Sequence, residues 1–124
     1  MDICIKRIFD PPTPDDGGRV LVDRLWPRGV RRDGTALDLW LKEVGPSTDL
    51  RQWFGHEPAR WTEFQRRYRA ELEDSAPFAA LLDMARRHPR VTLLYGAKDQ
   101  EHNQAVVLRD CLIELPGSDQ GGAS

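Results

Sequence analysis

The apolar positions of the chain follow two rhythms, short β-rich runs and stripes at helical spacing. The clearest run is Val91–Tyr95, followed by Gly96, Ala97 and the charged turn Lys98-Asp99-Gln100-Glu101. A buried strand feeding a polar turn and a helix is one βα unit, and ligands of such folds sit beyond the carboxyl ends of the strands. Ile3–Phe9 reads as a first strand, interrupted by Lys6 and Arg7, and Arg19–Leu25 as a second. In the second, Val20 and Val22 alternate with Leu21 and Asp23, which suits burial on both faces up to a polar end. Between them Asp10–Gly18 holds three prolines and two glycines and is a loop. It is too short for a full helical crossover, so the relative direction of the first two strands stays open.

The helical stripes are longer. Leu37, Trp40, Leu41 and Val44 stand at i, i+3, i+4 and i+7, predicting a helix over 36–44 with Thr35 as N-cap and Asp38 at N3. Gly45-Pro46 ends it, and Ser47 or Thr48 caps a short helix through Trp53 that stops at Gly55. Pro58 opens a longer helix over 59–74, with Trp61, Phe64, Tyr68 and Leu72 on one face. Residues 77–87 present Phe78, Leu81, Leu82 and Ala85. A last helix runs from about 100 to 115 behind Asp99 as N-cap, burying Ala105, Leu108, Cys111, Leu112 and Leu115. The order β, β, four helices, β, α predicts a small three-layer α/β sandwich, Rossmann-like. Its short, largely parallel sheet of three or four strands is flanked by helices. The long helical link makes the second and last strands parallel with a right-handed crossover. Residues 1–115 form one domain, and 116–124, PGSDQGGAS, are expected to be a disordered tail.

Composition narrows the function. A net charge of -2 over 124 residues argues against a globally basic nucleic-acid binder. No apolar run approaches the roughly 20 residues of a membrane span. The start, Met1-Asp2-Ile3-Cys4, lacks the basic and apolar regions of a signal peptide, and Cys4 and Cys111 form no motif. The expectation is a cytoplasmic protein with reduced cysteines. His56, His88 and His102 share no ligand spacing with one another or with a cysteine, so neither a metal nor a cofactor is expected. There is also no GxGxxG, P-loop, nucleophile elbow or CxxC.

The candidate chemistry lies at the two strand ends. Lys98 precedes a helix N-terminus, where amide groups and the helix dipole favour an anion; otherwise it is a solvated turn residue. Arg24, Trp26 and Arg28 follow the second strand, where the arginines could take phosphate or carboxylate and the indole a flat ring. The plainer reading makes Trp26 core and pairs the arginines with Asp23 and Glu43. Asp23 interrupts an apolar strand, and a buried carboxylate is costly unless paired or functional. Arg24 or Lys98 could partner it. His102 could exchange protons near neutral pH, although a surface role is more ordinary, and Asn103 beside it both donates and accepts. Asp23, Asp99 and Asn103 are the candidate catalytic or orienting residues; Arg24, Trp26, Arg28, Lys98 and His102 are the candidate ligand-binding ones.

Several segments carry a family resemblance: KRIFDPP (6–12), VLVDRLWPRG (20–29), LDLWLKEVGPSTDLRQWFGH (37–56), FQRRYRAEL (64–72) and LLYGAKDQEHN (93–103). They resemble the YeaO-like bacterial proteins of domain-of-unknown-function family 488, over nearly the whole chain to Leu115. The resemblance implies a cytoplasmic α/β fold and no established activity. Asp23, Arg24, Pro27, Arg28, Lys98, Asp99 and Asn103 match its pattern. Longer members carry a cysteine-histidine-arginine triplet where this chain has Asn103-Gln104-Ala105, so a thiol mechanism does not transfer. Close relatives often have Asn-His where this chain has Asn103-Gln104, which weakens an essential role for His102.

Two readings of function follow. One is a small enzyme or binding domain for an anionic, phosphorylated or nucleotide-like ligand. The other is a module for nucleic acid or a protein partner, using the arginines of 60–69 and 86–90, although these alternate with acids. Trp40, Trp53 and Trp61 could pack the core or form a dimer face, leaving monomer and homodimer both open.

Overall fold

A computed structural model describes residues 2–33 and 35–114. The expected tail lies outside these residues, as does Leu115. Four strands form one sheet: β1 (Asp2–Arg7), β2 (Gly18–Leu21), β3 (Leu39–Trp40) and β4 (Arg90–Tyr95). Their order is β1-β4-β2-β3, with every neighbouring pair parallel. The direction left open by the sequence is thereby fixed, since β1 and β2 both run parallel to β4 between them. Residues 8–17 make that crossover without an α-helix, using only a 3-10 turn at Pro14–Asp16. Gly17 closes it at φ 66°, where a Cβ would lie 2.2 Å from the Arg90 carbonyl oxygen, so only glycine fits.

The helices are α1 (Thr48–Phe54), α2 (Trp61–Leu72), α3 (Ala76–Arg86) and α4 (Gln104–Glu114). Ser47 caps α1 by accepting the Leu50 amide, and Gly55 ends it in the left-handed region. Ser75 caps α3 through the Phe78 amide. All four helices bury their apolar stripes with Val20, Val22, Val91, Leu93 and Tyr95 in one core. Tyr68 lies wholly inside it and donates its hydroxyl proton to the Val44 carbonyl. On the opposite face of the sheet, Leu21 and Leu94 pack with Ile8, Trp26, Val30, Leu37 and Trp40. The second covering layer is therefore irregular chain.

That arrangement corrects the helix expected over 36–44. The open edge of β2 takes the segment as a strand instead. Asp38 donates its amide to the Arg19 carbonyl at 2.9 Å, and Leu41 donates to the Leu21 carbonyl at 2.9 Å. The Asp38 carboxylate, expected inside a first helical turn, accepts the Arg19 amide at 2.8 Å. The hydroxyl of Thr35, the expected cap, donates to the Arg31 carbonyl. The helical spacing misled because its four apolar residues serve both faces of the sheet. Leu37 and Trp40 join the smaller cluster, Leu41 and Val44 the larger. Helical structure appears only as a 3-10 turn at Lys42–Val44. β1 and β2 are also shorter than expected, although amide bonds from Ile8 to Tyr95 and from Val22 to Leu94 carry the pairing one residue further.

A buried ionic cluster anchors the crossover. Asp16 accepts from Lys6 at 3.1 Å and from Arg19, while its backbone carbonyl accepts the Thr92 hydroxyl at 2.7 Å. Burial alone would raise its pKa. The Thr13 amide, Lys6, the Thr13 hydroxyl and Arg19 outweigh burial and hold the carboxyl at about 2, below its ordinary 3.8. Because the folded value is depressed, this stabilisation is present above pH 3.8 and is lost as pH falls through about 2. Removing one member of a buried pair leaves the others uncompensated. Asp16→Ala is expected to lose about 3 kcal/mol in urea unfolding at pH 7, with the deficit closing toward pH 2. A deficit independent of pH would contradict the ionic account.

Candidate functional site

A cleft of about 490 Å³ opens beyond the carboxyl ends of β2 and β4. Two loops make its sides, 22–30 after β2 and 96–103 after β4, and α1 contributes Arg51 and Phe54. Of the residues singled out in the sequence, Asp23, Arg24, Trp26, Arg28, Lys98 and Asn103 all line it. Arg28 and Lys98 converge on one space, as the strand-end reading requires. Its volume falls within the range of small-ligand sites.

Asp23 ties the two loops together. One carboxylate oxygen accepts the Gly96 amide at 2.9 Å, and the other accepts the Gln104 side-chain amide. A Cβ on Gly96 would lie 2.9 Å from that Asp23 oxygen and 3.2 Å from Pro27, so the contact requires glycine. The partner expected for Asp23, Arg24 or Lys98, is not the one found. The Arg24 guanidinium donates to the Gly45 and Pro46 carbonyls, both at 2.9 Å. Arg7 likewise donates to the Ala97 and Gly96 carbonyls at 3.0 and 3.3 Å. Both arginines fasten loops. With no cation forming an ion pair with it among the described residues, Asp23 is dominated by burial, which pushes its carboxyl up to about 6. The Gly96 amide, Gln104 and the charge of His56 oppose burial without overcoming it.

Trp26 stands between the cleft and the core. It lines the cleft and also packs on the smaller cluster, edge-on to Trp40 at 5.2 Å, with Arg32 4.9 Å above its ring. Its indole N–H donates to the Val30 carbonyl at 2.7 Å, which curls the loop back. The helix expected from residue 100 begins at Gln104, because Asp99 and Asn103 divide the capping. Asp99 accepts the Glu101 and His102 amides at 2.9 and 3.0 Å. Buried Asn103 accepts the Val106 amide at 3.2 Å and donates to the Asp99 carbonyl at 2.9 Å. These bonds give Asn103 the N-cap position. Asp99 also meets the His102 ring nitrogen at 2.9 Å, and the ring stands edge-on to Trp61 at 5.2 Å. Neither Asp99 nor His102 lines the cleft. The Glu101 amide leads the contacts that lower the Asp99 pKa.

Residues passed over in the sequence complete the walls. Phe9, Leu25 and Phe54 supply apolar surface, with Phe9 and Leu25 exposed. Arg51 and His56 add polar groups to the same cleft. A signal for Arg51 was available, since it lies one helical turn before Gly55 on a helix whose buried residues are Leu50 and Phe54. Nothing comparable marked His56 or Phe9, because the path of their loops depends on tertiary packing. Among the described residues Arg28, Arg51 and Lys98 pair with no acid, whereas Arg66, Arg67, Arg69, Arg87 and Arg90 all do. Nor do the described residues hold a group of three or more His, Cys, Asp or Glu able to bind a metal, or a helix long and apolar enough to cross a membrane.

Residues 2–123 match the family described as the inactive DUF488-N3 subclade. The chain belongs to that subclade. It is 46% identical over 116 residues to YeaO, an uncharacterised protein of Escherichia coli (strain K12), covering 93% of this chain and 100% of that protein. Uncharacterised proteins of Mycobacterium tuberculosis (strain ATCC 25618 / H37Rv) and Mycobacterium bovis (strain ATCC BAA-935 / AF2122/97) are each 42% identical over 110 residues, 89% of this chain and 92% of theirs. No solved structure matches the chain. The YeaO-like resemblance read from the sequence is thus borne out. At Asn103-Gln104-Ala105 the chain has a buried cap, a side chain tied to Asp23 and a fully buried alanine.

Two consequences for stability follow. Gly96→Ala is expected to cost about 1–3 kcal/mol, because Asp23 and Pro27 must both move; calorimetric unfolding checks it, and an unchanged Tm would refute the close approach. The folded pKa of Asp23 is raised, so its favourable contribution is complete below pH 3.8 and is lost as pH rises through about 6. Asp23→Asn is therefore expected to be more stable than the wild type at pH 8 and no more stable near pH 4. Lower stability of the variant at pH 8 would show that the charge strengthens the fold.

Proposed function

We propose that the chain is a non-catalytic binding domain for a small anionic, phosphorylated ligand with a flat apolar body, of the nucleotide kind. One observation carries the reading: Arg28, Arg51 and Lys98, none paired with an acid among the described residues, line a single cleft with aromatic and aliphatic walls. Cations held without a carboxylate partner keep their full attraction for an anion. Trp26, Phe9 and Leu25 offer the surface on which a ring could stack or rest. The family's description as an inactive subclade supports a role without turnover. So does the chemistry of the site, since Asn103 is committed to the backbone and Asp99 pairs with His102 outside the cleft.

The alternative, an arginine-rich module for nucleic acid, finds less support. The arginines of α2 are matched by Glu63 and Glu114, Arg87 by Asp83 and Arg90 by Asp2. Paired surface cations release few counterions on binding a phosphate backbone. The tryptophans give the dimer reading little either: Trp61 stacks on Phe64, and Arg60 and Arg67 cover Trp53.

A thermal-shift titration with inorganic phosphate and nucleoside monophosphates tests the proposal. A ligand at 100 times its dissociation constant adds about 2.7 kcal/mol of stability, a shift of several degrees for a domain of this size. Lys98→Ala and Arg28→Ala are each expected to weaken binding about tenfold or more, the worth of one charged hydrogen bond. No stabilisation by any anion, or equal stabilisation of both variants, would overturn it.

A further inference from the structure

The charge on Asp23 is more than its latch requires. An asparagine could accept the Gly96 amide and, with the Gln104 amide turned to present its oxygen, keep the second contact while avoiding the desolvation that burial imposes on a carboxylate. An ionised carboxylate offers about four lone-pair positions on its two oxygens. Gly96 and Gln104 take one on each oxygen, and both partners are donors. Arg24 and Arg7, the guanidinium groups on the flanking segments, are spent on backbone carbonyls. Among the described residues no cation forms an ion pair with Asp23, which lines the same cleft as Arg28 and Lys98. Each oxygen thus keeps acceptor capacity in a half-buried position, while the unpaired Arg28, Arg51 and Lys98 side chains are exposed.

We propose that Asp23 is the specificity-determining residue of this cleft, accepting a pair of adjacent N–H donors from the ligand's ring while the anionic end of the same ligand meets Arg28 and Lys98. The inference rests on the reading of the cleft as an anion site and names the ligand class more narrowly. Among nucleotides, the guanine ring presents two neighbouring donors, N1–H and the 2-amino group, on its Watson–Crick edge. Adenine has an acceptor at N1 and would set a lone pair against the carboxylate. Hypoxanthine keeps N1–H and lacks the amino group. The ligand is a guanine nucleotide, or a ring of the same donor pattern bearing a phosphate.

Calorimetric titration of the full chain with GMP, IMP, AMP and inorganic phosphate decides the matter. For the wild type the expected order is GMP, then IMP, then AMP, with GMP about tenfold or more tighter than AMP, as for a well-placed bidentate contact. In Asp23→Asn the preference for GMP over AMP, read as the ratio of the two affinities within the variant, should disappear. Equal binding of GMP and AMP by the wild type, or a preference that survives in Asp23→Asn, overturns the inference. The wild-type series is sufficient by itself if that variant does not fold. Phosphate binding that requires Lys98 without discrimination between the nucleotides leaves the anion site standing and removes the role of Asp23. Absence of binding by all four ligands removes both.

Discussion

The Asp23 carboxylate joins two loops that the sequence keeps more than seventy residues apart, through the Gly96 amide at 2.9 Å and the Gln104 side chain. The parallel pairing of β2 with β4 places both strand ends on the same side of the sheet, so the loops leave together. Arg24 and Arg7 then fasten those loops to backbone carbonyls. What remains is a cleft whose loops are fastened and whose remaining cations, Arg28, Arg51 and Lys98, have no acidic partner among the described residues. A rigid frame with uncommitted charges is what preorganised binding needs.

The same latch is energetically awkward. Burial raises the Asp23 carboxyl to about 6, so at neutral pH the protein holds a charge that its surroundings disfavour. Asp16 is the opposite case. Its lysine and arginine partners keep it ionised to about pH 2, and it secures the crossover between β1 and β2. Two carboxylates of one chain thus separate by environment. One is compensated where the fold needs fastening, and one is left under-compensated at the cleft, where perturbed groups commonly serve function.

Much of this was legible in the residues. The run 91–95 with its polar turn announced β4 and the loop that carries Lys98, and Asp23 stood out because it broke an apolar strand. Ser47 and Gly55 set the limits of α1, and Pro58 opens the turn before α2. Residues 36–44 were misread for a physical reason. Helical spacing arises also when a short edge strand and the turn after it distribute four apolar side chains over both faces of a sheet. The partner of Asp23 could not be read, because charge alone pointed to Arg24 or Lys98, and only the fold reveals that Arg24 is spent on Gly45 and Pro46. Asp99, read as the N-cap of the last helix, shares that capping with Asn103 before α4.

The proposed function stands on the cleft binding an anion. The most direct test is a two-dimensional amide NMR titration of the full chain with inorganic phosphate. Saturable shifts confined to Arg28, Arg51, Gly96, Lys98 and their neighbours are the result expected. Shifts concentrated on the arginines of α2 and α3, or none at millimolar phosphate, would contradict the account.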